Sequence, residues 1–259
     1  MSEKYDTIKT ETKDNIFYLT LAREHRLNAI NPKMLTEIKS GLEEAEEKQA
    51  RCIVLKGSGE NFSAGADVTA FSPDVQDLYK KSRKGKDVFS QIESAPMPVV
   101  AGIQGNCLGG GLEMTLACDF RIAAENAKLG QTETNLGIIP GWGGNLRLPK
   151  IVGLAKAKEI IMLGKKISAE EAEEIALVNE TVPLDEFEEK VNDLAKKLAQ
   201  GPPIALKYSK YCMNYGAQVP HEIGKEVESG LFASLASTED MIEGIEAFME
   251  KRKPEFEGK

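Results

Sequence analysis

Two glutamates and two glycine-bearing turns are the residues of this chain best suited to act on a substrate together. Glu113 lies in "GNCLGGGLE", three residues after Gly110 on one helical face. Glu133 lies in "LGQTETNLGIIPGWGG", in a polar turn just ahead of an apolar, glycine-rich loop, where reacting groups concentrate. The two turns are "NFSAGADV", Asn61 to Val68, and "GNCLGGGLE" itself, each following a strand-like run. Glycine allows a backbone to approach a ligand closely, and a turn that opens a helix leaves N–H groups without intrahelical partners at the positive end of the helix dipole. Two such turns on neighbouring strands can aim two N–H groups at one oxygen, which is the geometry of an oxyanion hole. A pair of glutamates in a partly apolar cleft beside it can have their pKa values pushed apart into acid and base roles. Each feature also has a plain reading. The glycines then only permit tight turns, Glu113 makes a salt bridge or an exposed helix end, and Glu133 is a surface residue.

Other chemistries find little support. The 259 residues contain only two histidines, His25 and His221, no H-E-x-x-H, no Cys/His cluster with metal spacing and no G-x-S-x-G, which argues against a metal site or a serine–histidine nucleophile. The glycines spell neither a P-loop nor G-x-G-x-x-G. With 33 basic and 41 acidic residues the net charge is −8, so the chain as a whole does not attract nucleic acid. No stretch approaches the roughly 18 continuous apolar residues of a membrane span, and the polar "MSEKYDTIKTETKDN" lacks a signal peptide's apolar centre. Cys52, Cys107, Cys118 and Cys212 are far apart without a C-x-x-C pair, and the three that lie in apolar runs read as small buried thiols, which points to a reducing cytoplasm.

The elements that must position the candidate residues are an α/β core. "YDTIKTET", "NIFYLTLA" and "ARCIVLKGS" read as strands, and "NPKMLTEIKSGLEEAEEK" between the last two reads as a helix through Met34, Leu35, Ile38 and Leu42. "PMPVVAGIQG" gives a further strand, "LEMTLACDF" a core helix, and "FRIAAENAKLGQ" a strand and turn. From Ser168, where "SAEE" has capping-box spacing, the texture becomes helical through "LDEFEEKVNDLAKKLAQG", "PIALKYSKYCMNYG" and "TEDMIEGIEAFMEKRK". The runs "EEAEEK" and "EAEE" read as solvated helix faces, and the residues between Val68 and Pro96 as loop.

These motifs resemble the enoyl-CoA hydratase, or crotonase, superfamily. The resemblance runs nearly end to end, through "LNAINPKM", "SAGADV", "GNCLGGGLEMTLACDFRIAAENAKLGQTETNLGIIPGWGGNLRL", "ALVNETVP" and "AFMEKRKPEF". It implies an α/β fold, a crotonase-like spiral of repeated β-β-α units over residues 1–195 followed by a helical C-terminal trimerisation part over 196–259, with trimers or dimers of trimers. By motif, the N–H groups of Ala66 and Gly110 would grip the thioester oxygen of an acyl-CoA. Glu113 and Glu133, 20 residues apart as in the family's hydratases, would add water across a trans-2-enoyl thioester. No metal and no cofactor beyond the substrate's own coenzyme A is implied. Coenzyme A would meet the carbonyls of Ala64 and Ala66, and Arg26 near its phosphates. Phe232, Phe248 and Lys251 match positions that reach nucleotide on a neighbouring subunit. The chain departs from some relatives at Thr69, where they carry lysine. It departs again at Trp142, next to Gly141, where a small residue is common; this indole either packs in the core or shortens the acyl pocket. The same resemblance leaves open an enoyl-CoA isomerase and, outside enzymes, an RNA-binding protein.

Overall fold

A computed structural model describes residues 4–216 and 218–259. Met1, Ser2 and Glu3 of the polar N-terminal stretch, and Ala217, lie outside the described residues. Nine strands are present among the described residues: β1 (Ile8–Lys13), β2 (Ile16–Leu21), β3 (Cys52–Gly57), β4 (Val99–Ile103), β5 (Asn106–Leu108), β6 (Phe120–Ala124), β7 (Lys128–Gly130), β8 (Lys166–Ser168) and β9 (Glu180–Val182). The helices are α1 (Pro32–Glu47), α2 (Val75–Ser94), α3 (Gly110–Thr115), α4 (Gly144–Met162), α5 (Ala169–Glu174), α6 (Phe187–Ala199), α7 (Pro203–Tyr211), α8 (His221–Ser234) and α9 (Glu239–Glu250).

A larger sheet runs β1-β2-β3-β4-β6-β9, antiparallel only between β1 and β2, and a smaller one runs β5-β7-β8. Successive turns of the chain place one strand in each sheet, β4 then β5 and β6 then β7, which makes the spiral. Strands buried on both faces read as continuous apolar runs. Accordingly Ile53 and Leu55 face the main core while Cys52 and Val54 face α6, whose Phe187, Val191 and Ala195 cover the other side. The sequence division at 195/196 falls inside α6. No helix among the described residues is long and apolar enough to cross a membrane.

Four local readings are corrected. Residues 75–94, read as loop, form the 20-residue α2, capped by Asp74 accepting from Asp77 N–H. The helix read through "LEMTLACDF" ends at Thr115, because Cys118 N–H turns back to Thr115 O and Asp119 N–H already pairs with Val99 O beside β6. Glu180–Val182, inside the half read as helical, is the last strand of the larger sheet. Glu44 of "EEAEEK" is buried, because it collects Lys4 Nζ at 2.7 Å, Tyr5 OH at 2.9 Å and Lys48 Nζ at 2.6 Å, which hold its pKa at about 2. The capping serine is as expected, with Glu171 N–H donating to Ser168 Oγ at 3.2 Å, and Cys52, Cys107 and Cys118 are buried thiols.

The helical C-terminal part is pinned to the core by one buried cation. Lys210 of α7 donates to Asp119 Oδ2 at 2.7 Å and to Met97 O at 3.1 Å, and Val99 N–H donates to the same Asp119 oxygen at 2.7 Å.

Candidate active site

The two glycine turns are bolted together by the backbone. Ser63 N–H donates to Asn106 O at 2.9 Å and Leu108 N–H to Ser63 O at 3.0 Å, a parallel bridge between the first turn and β5. Ser63 Oγ accepts from Gly65 N–H and donates to Asn28 O, fixing the bend before Ala66. Gly65 has φ +102° and Gly109 has φ +49° with ψ −123°, torsions that a side chain resists. The bridge brings the following residues close: a Cβ placed on Gly110 would lie 3.3 Å from Ala66 N, and one placed on Gly65 would lie 3.4 Å from Gly110 N. Neither the Ala66 nor the Gly110 N–H is taken by an acceptor among the described residues, and Gly110 opens α3.

Glu113, in the first turn of α3, is 2 % exposed and makes no ion pair among the described residues. One oxygen, Oε1, accepts from Trp142 N–H and Gly144 N–H, both at 2.7 Å, so the "GWGG" loop grips the carboxylate and leaves Oε2 free of it. Burial raises its pKa in spite of those two donors. Glu133 opens a short 3₁₀ turn, Glu133–Leu136, tied to the end of α4 by Thr134 Oγ1 donating to Ile161 O and Asn135 Nδ2 to Gly164 O. A Cβ on Gly109 would lie 3.0 Å from Glu133 Oε1, so the second carboxylate reaches the same turn as the first. Burial, and then the charge of Glu113, raise the Glu133 pKa to about 7. The buried Gln131 amide lies 3.1 Å from both Glu133 oxygens when its NH₂ faces them, the orientation that satisfies both groups.

The loop that grips Glu113 is itself held by one face of α2. Ser82 Oγ donates to Gly141 O at 2.8 Å, and Gly85 and Phe89 meet the Trp142 ring. Glu93 pairs with Arg147 at 2.8 Å, whose Nη1 donates to Trp142 O at 3.1 Å. Positions 82, 85, 89 and 93 are one stripe of a helix. Trp142 is 8 % exposed, edge-on to Phe89 with centroids 5.6 Å apart.

Arg26 is exposed in the short turn Glu24–Arg26, and Ala64 N–H donates to Leu27 O at 2.9 Å, so these two candidates are neighbours. Thr69 is exposed, with its Oγ1 on Asp67 Oδ1 at 2.6 Å. Phe232, Phe248 and Lys251 are not brought to the glutamates. The two phenylalanines, 76 % and 86 % exposed, line an apolar cavity of about 570 Å³ with Ile204, Leu235 and Ile245, and Lys251 ends α9 in a left-handed conformation. Sequence reasoning missed Gln131 as a partner of Glu133 and the Trp142 and Gly144 N–H donors. A backbone donor carries no residue signature; the cluster of glycines at Gly141, Gly143 and Gly144 was the available hint.

A raised carboxyl pKa weakens the fold once the group ionises: the stability is present below the unfolded value near 4.5 and is lost as pH rises through about 7. Glu133→Gln therefore stabilises the protein on the order of 2–3 kcal/mol above pH 8 and by little at pH 4.5. Thermal melts of both proteins across that range check this, and an equal melting shift at both ends would refute it.

The fold and this site define a crotonase-type enzyme, and the chain belongs to the enoyl-CoA hydratase/isomerase family, whose pattern it matches over residues 11–259. It is 37 % identical over 248 residues to the short-chain-enoyl-CoA hydratase of Clostridium acetobutylicum, covering 95 % of each chain. It is also 37 % identical over 256 residues to the crotonyl-CoA hydratase of Syntrophomonas wolfei, covering 97 % of this chain and 98 % of that one. The crystal structure of an enoyl-CoA hydratase from Bacillus anthracis superposes with a TM-score of 0.93 at 38 % identity, over 98 % of this chain and 100 % of that one.

Proposed function

We propose that this enzyme reversibly hydrates trans-2-enoyl-CoA thioesters to 3-hydroxyacyl-CoA. One observation carries the reading: two buried glutamates converge on a pair of joined turns whose N–H groups, Ala66 in the first and Gly110 in the second, have no acceptor among the described residues. The N–H pair holds the thioester oxygen. Glu113 and Glu133 hold one water between them; its oxygen bonds to Cβ as the C=C π bond opens, one of its protons goes to Glu113, and a proton on Glu133 goes to Cα. The negative charge that builds on the thioester oxygen between these events is stabilised by the two donors and the start of α3. A Glu133 pKa near 7 makes both of its protonation states available near neutrality, which a reaction run in both directions requires.

The acyl group is short, such as crotonyl, 3-hydroxybutyryl or 3-hydroxypropionyl. The carbonyls of Ala64 and Ala66 meet the coenzyme A moiety and Arg26 its phosphates, a reading supported by the exposure of Arg26 beside Ala64. Exposed Phe232 and Phe248 suit burial against a second copy, as a trimer or dimer of trimers, and the compartment is the cytoplasm.

The test supplies crotonyl-CoA and, separately, a 3-enoyl-CoA to the purified protein. Hydration of the first, faster than conjugation of the second, is expected. Conjugation without hydration would make it an isomerase, and retention of mixed RNA at physiological salt with neither turnover would make it a binding protein.

A further inference from the structure

Trp142 is the only tryptophan in the chain, and its ring occupies a slot cut by two glycines that are far apart in sequence. On one side, a Cβ on Gly110 would lie 2.5 and 2.7 Å from indole Cζ3 and Cε3. That same point is 3.3 Å from Ala66 N, so the six-membered edge of the indole borders the pair of free N–H groups. On the other side, a Cβ on Gly85 would lie 2.3, 2.4 and 2.6 Å from indole Cδ1, Nε1 and Cγ. Phe89, one helical turn beyond Gly85 on the same face of α2, closes the slot edge-on. The indole thus bridges the full gap between α2 and the turn that would hold the thioester.

We propose that Trp142 is the floor of the acyl pocket and that Gly85 is the specificity-determining residue that makes room for it. The inference rests on the acyl-thioester reading above. With the thioester oxygen at Ala66 and Gly110 and Cβ at the glutamates, the far end of the acyl chain meets the apolar edge of the indole. The room behind that edge is already filled by α2, so each added methylene must displace packed atoms, whereas a hole of the same size would accept it. The position on α2 matters as much as the indole. A methyl group at 85 cannot share the slot with the pyrrole edge, so Gly85→Ala drives the ring toward Gly110 and narrows the pocket from behind.

Two measurements test this, one of them independent of turnover. Emission of the single tryptophan is followed while the protein is titrated with free coenzyme A, butyryl-CoA and hexanoyl-CoA. Butyryl-CoA shifts or quenches Trp142 and free coenzyme A does not; an identical response to both overturns the proposal even if the protein hydrates enoyl-CoA well. In parallel, kcat/KM is measured for 2-enoyl-CoA substrates from four to ten carbons. The wild type falls roughly tenfold or more from four to eight carbons, and Trp142→Leu recovers most of that loss. Gly85→Ala loses roughly tenfold on the four-carbon substrate, and Gly85→Ala/Trp142→Leu restores it, because the smaller side chain leaves space for the methyl group. A flat chain-length profile in the wild type, or a Gly85→Ala enzyme with wild-type kinetics, overturns the pocket assignment and leaves the hydratase reading intact. A wild type that hydrates no chain length while butyryl-CoA still perturbs Trp142 refutes the hydratase reading and retains the pocket.

Discussion

Glu113→Gln and Glu133→Gln each lower kcat for hydration of crotonyl-CoA by about 10²- to 10⁴-fold, the range that positioned acid–base groups supply. Glutamine is the informative replacement because it keeps the shape. At 113 its amide oxygen still accepts from the Trp142 and Gly144 N–H groups at the place where Oε1 sits now, so the "GWGG" loop stays where it is. What disappears is a group that can take a proton from water. At 133 the change removes the carboxyl, with a pKa raised to about 7, to which the proposed mechanism gives the Cα proton. Binding of butyryl-CoA, read from Trp142 emission, stays within about threefold of the wild type because the Ala66 and Gly110 donors are backbone groups that neither substitution touches. The pair is not additive: when two groups act on one water, losing either stops the step, so the double variant is little worse than the worse single one. Either single variant retaining more than about a tenth of wild-type kcat would refute the two-carboxylate mechanism.

Lys210→Met destabilises the protein by about 3–5 kcal/mol at neutral pH, the usual result of removing one partner of a buried ion pair. The lysine is 7 % exposed, and methionine fills nearly its volume, so the loss is electrostatic rather than a cavity. Asp119, largely but not fully buried, would be left with a single donor among the described residues, Val99 N–H. Its carboxyl is already raised by burial, with Lys210 opposing that rise. Without the lysine it rises further, so the deficit is largest above neutrality and shrinks as falling pH protonates the group. Lys210→Met/Asp119→Leu recovers most of the stability, because an apolar pair no longer carries an uncompensated charge. Denaturant unfolding of the three proteins at acid and neutral pH checks this, and a loss below about 1 kcal/mol for Lys210→Met would show the pair to be solvated.

What could be read ahead of the structure followed from how local each cause is. Gly65, Gly109 and Gly110 announced their turns because a positive torsion or a close approach is a property of a few consecutive residues. The β3 and β4 strands, buried on both faces, were continuous apolar runs and legible for that reason. Helix α2 was not. Only Gly85, Val88, Phe89 and Ile92 of its 20 residues are buried, and the first of them is a residue that argues against a helix. Its reason for being glycine is the Trp142 ring, which no window around position 85 contains. Glu44 was misread for the same cause, since one of the cations that neutralise it, Lys4, lies 40 residues away. At the site, the two acidic side chains were visible and the backbone groups that orient Glu113 were not.

The bridge between Ser63 and β5 has a consequence for how this protein fails. The same two hydrogen bonds that join the first turn to the smaller sheet set the spacing of the Ala66 and Gly110 donors. A partly folded form that has let this bridge go has also let the two donors drift apart, and one that keeps the donors in register has kept the two sheets joined. Opening of this bridge therefore costs the two donors their spacing, so activity depends on the contact between the first turn and the smaller sheet.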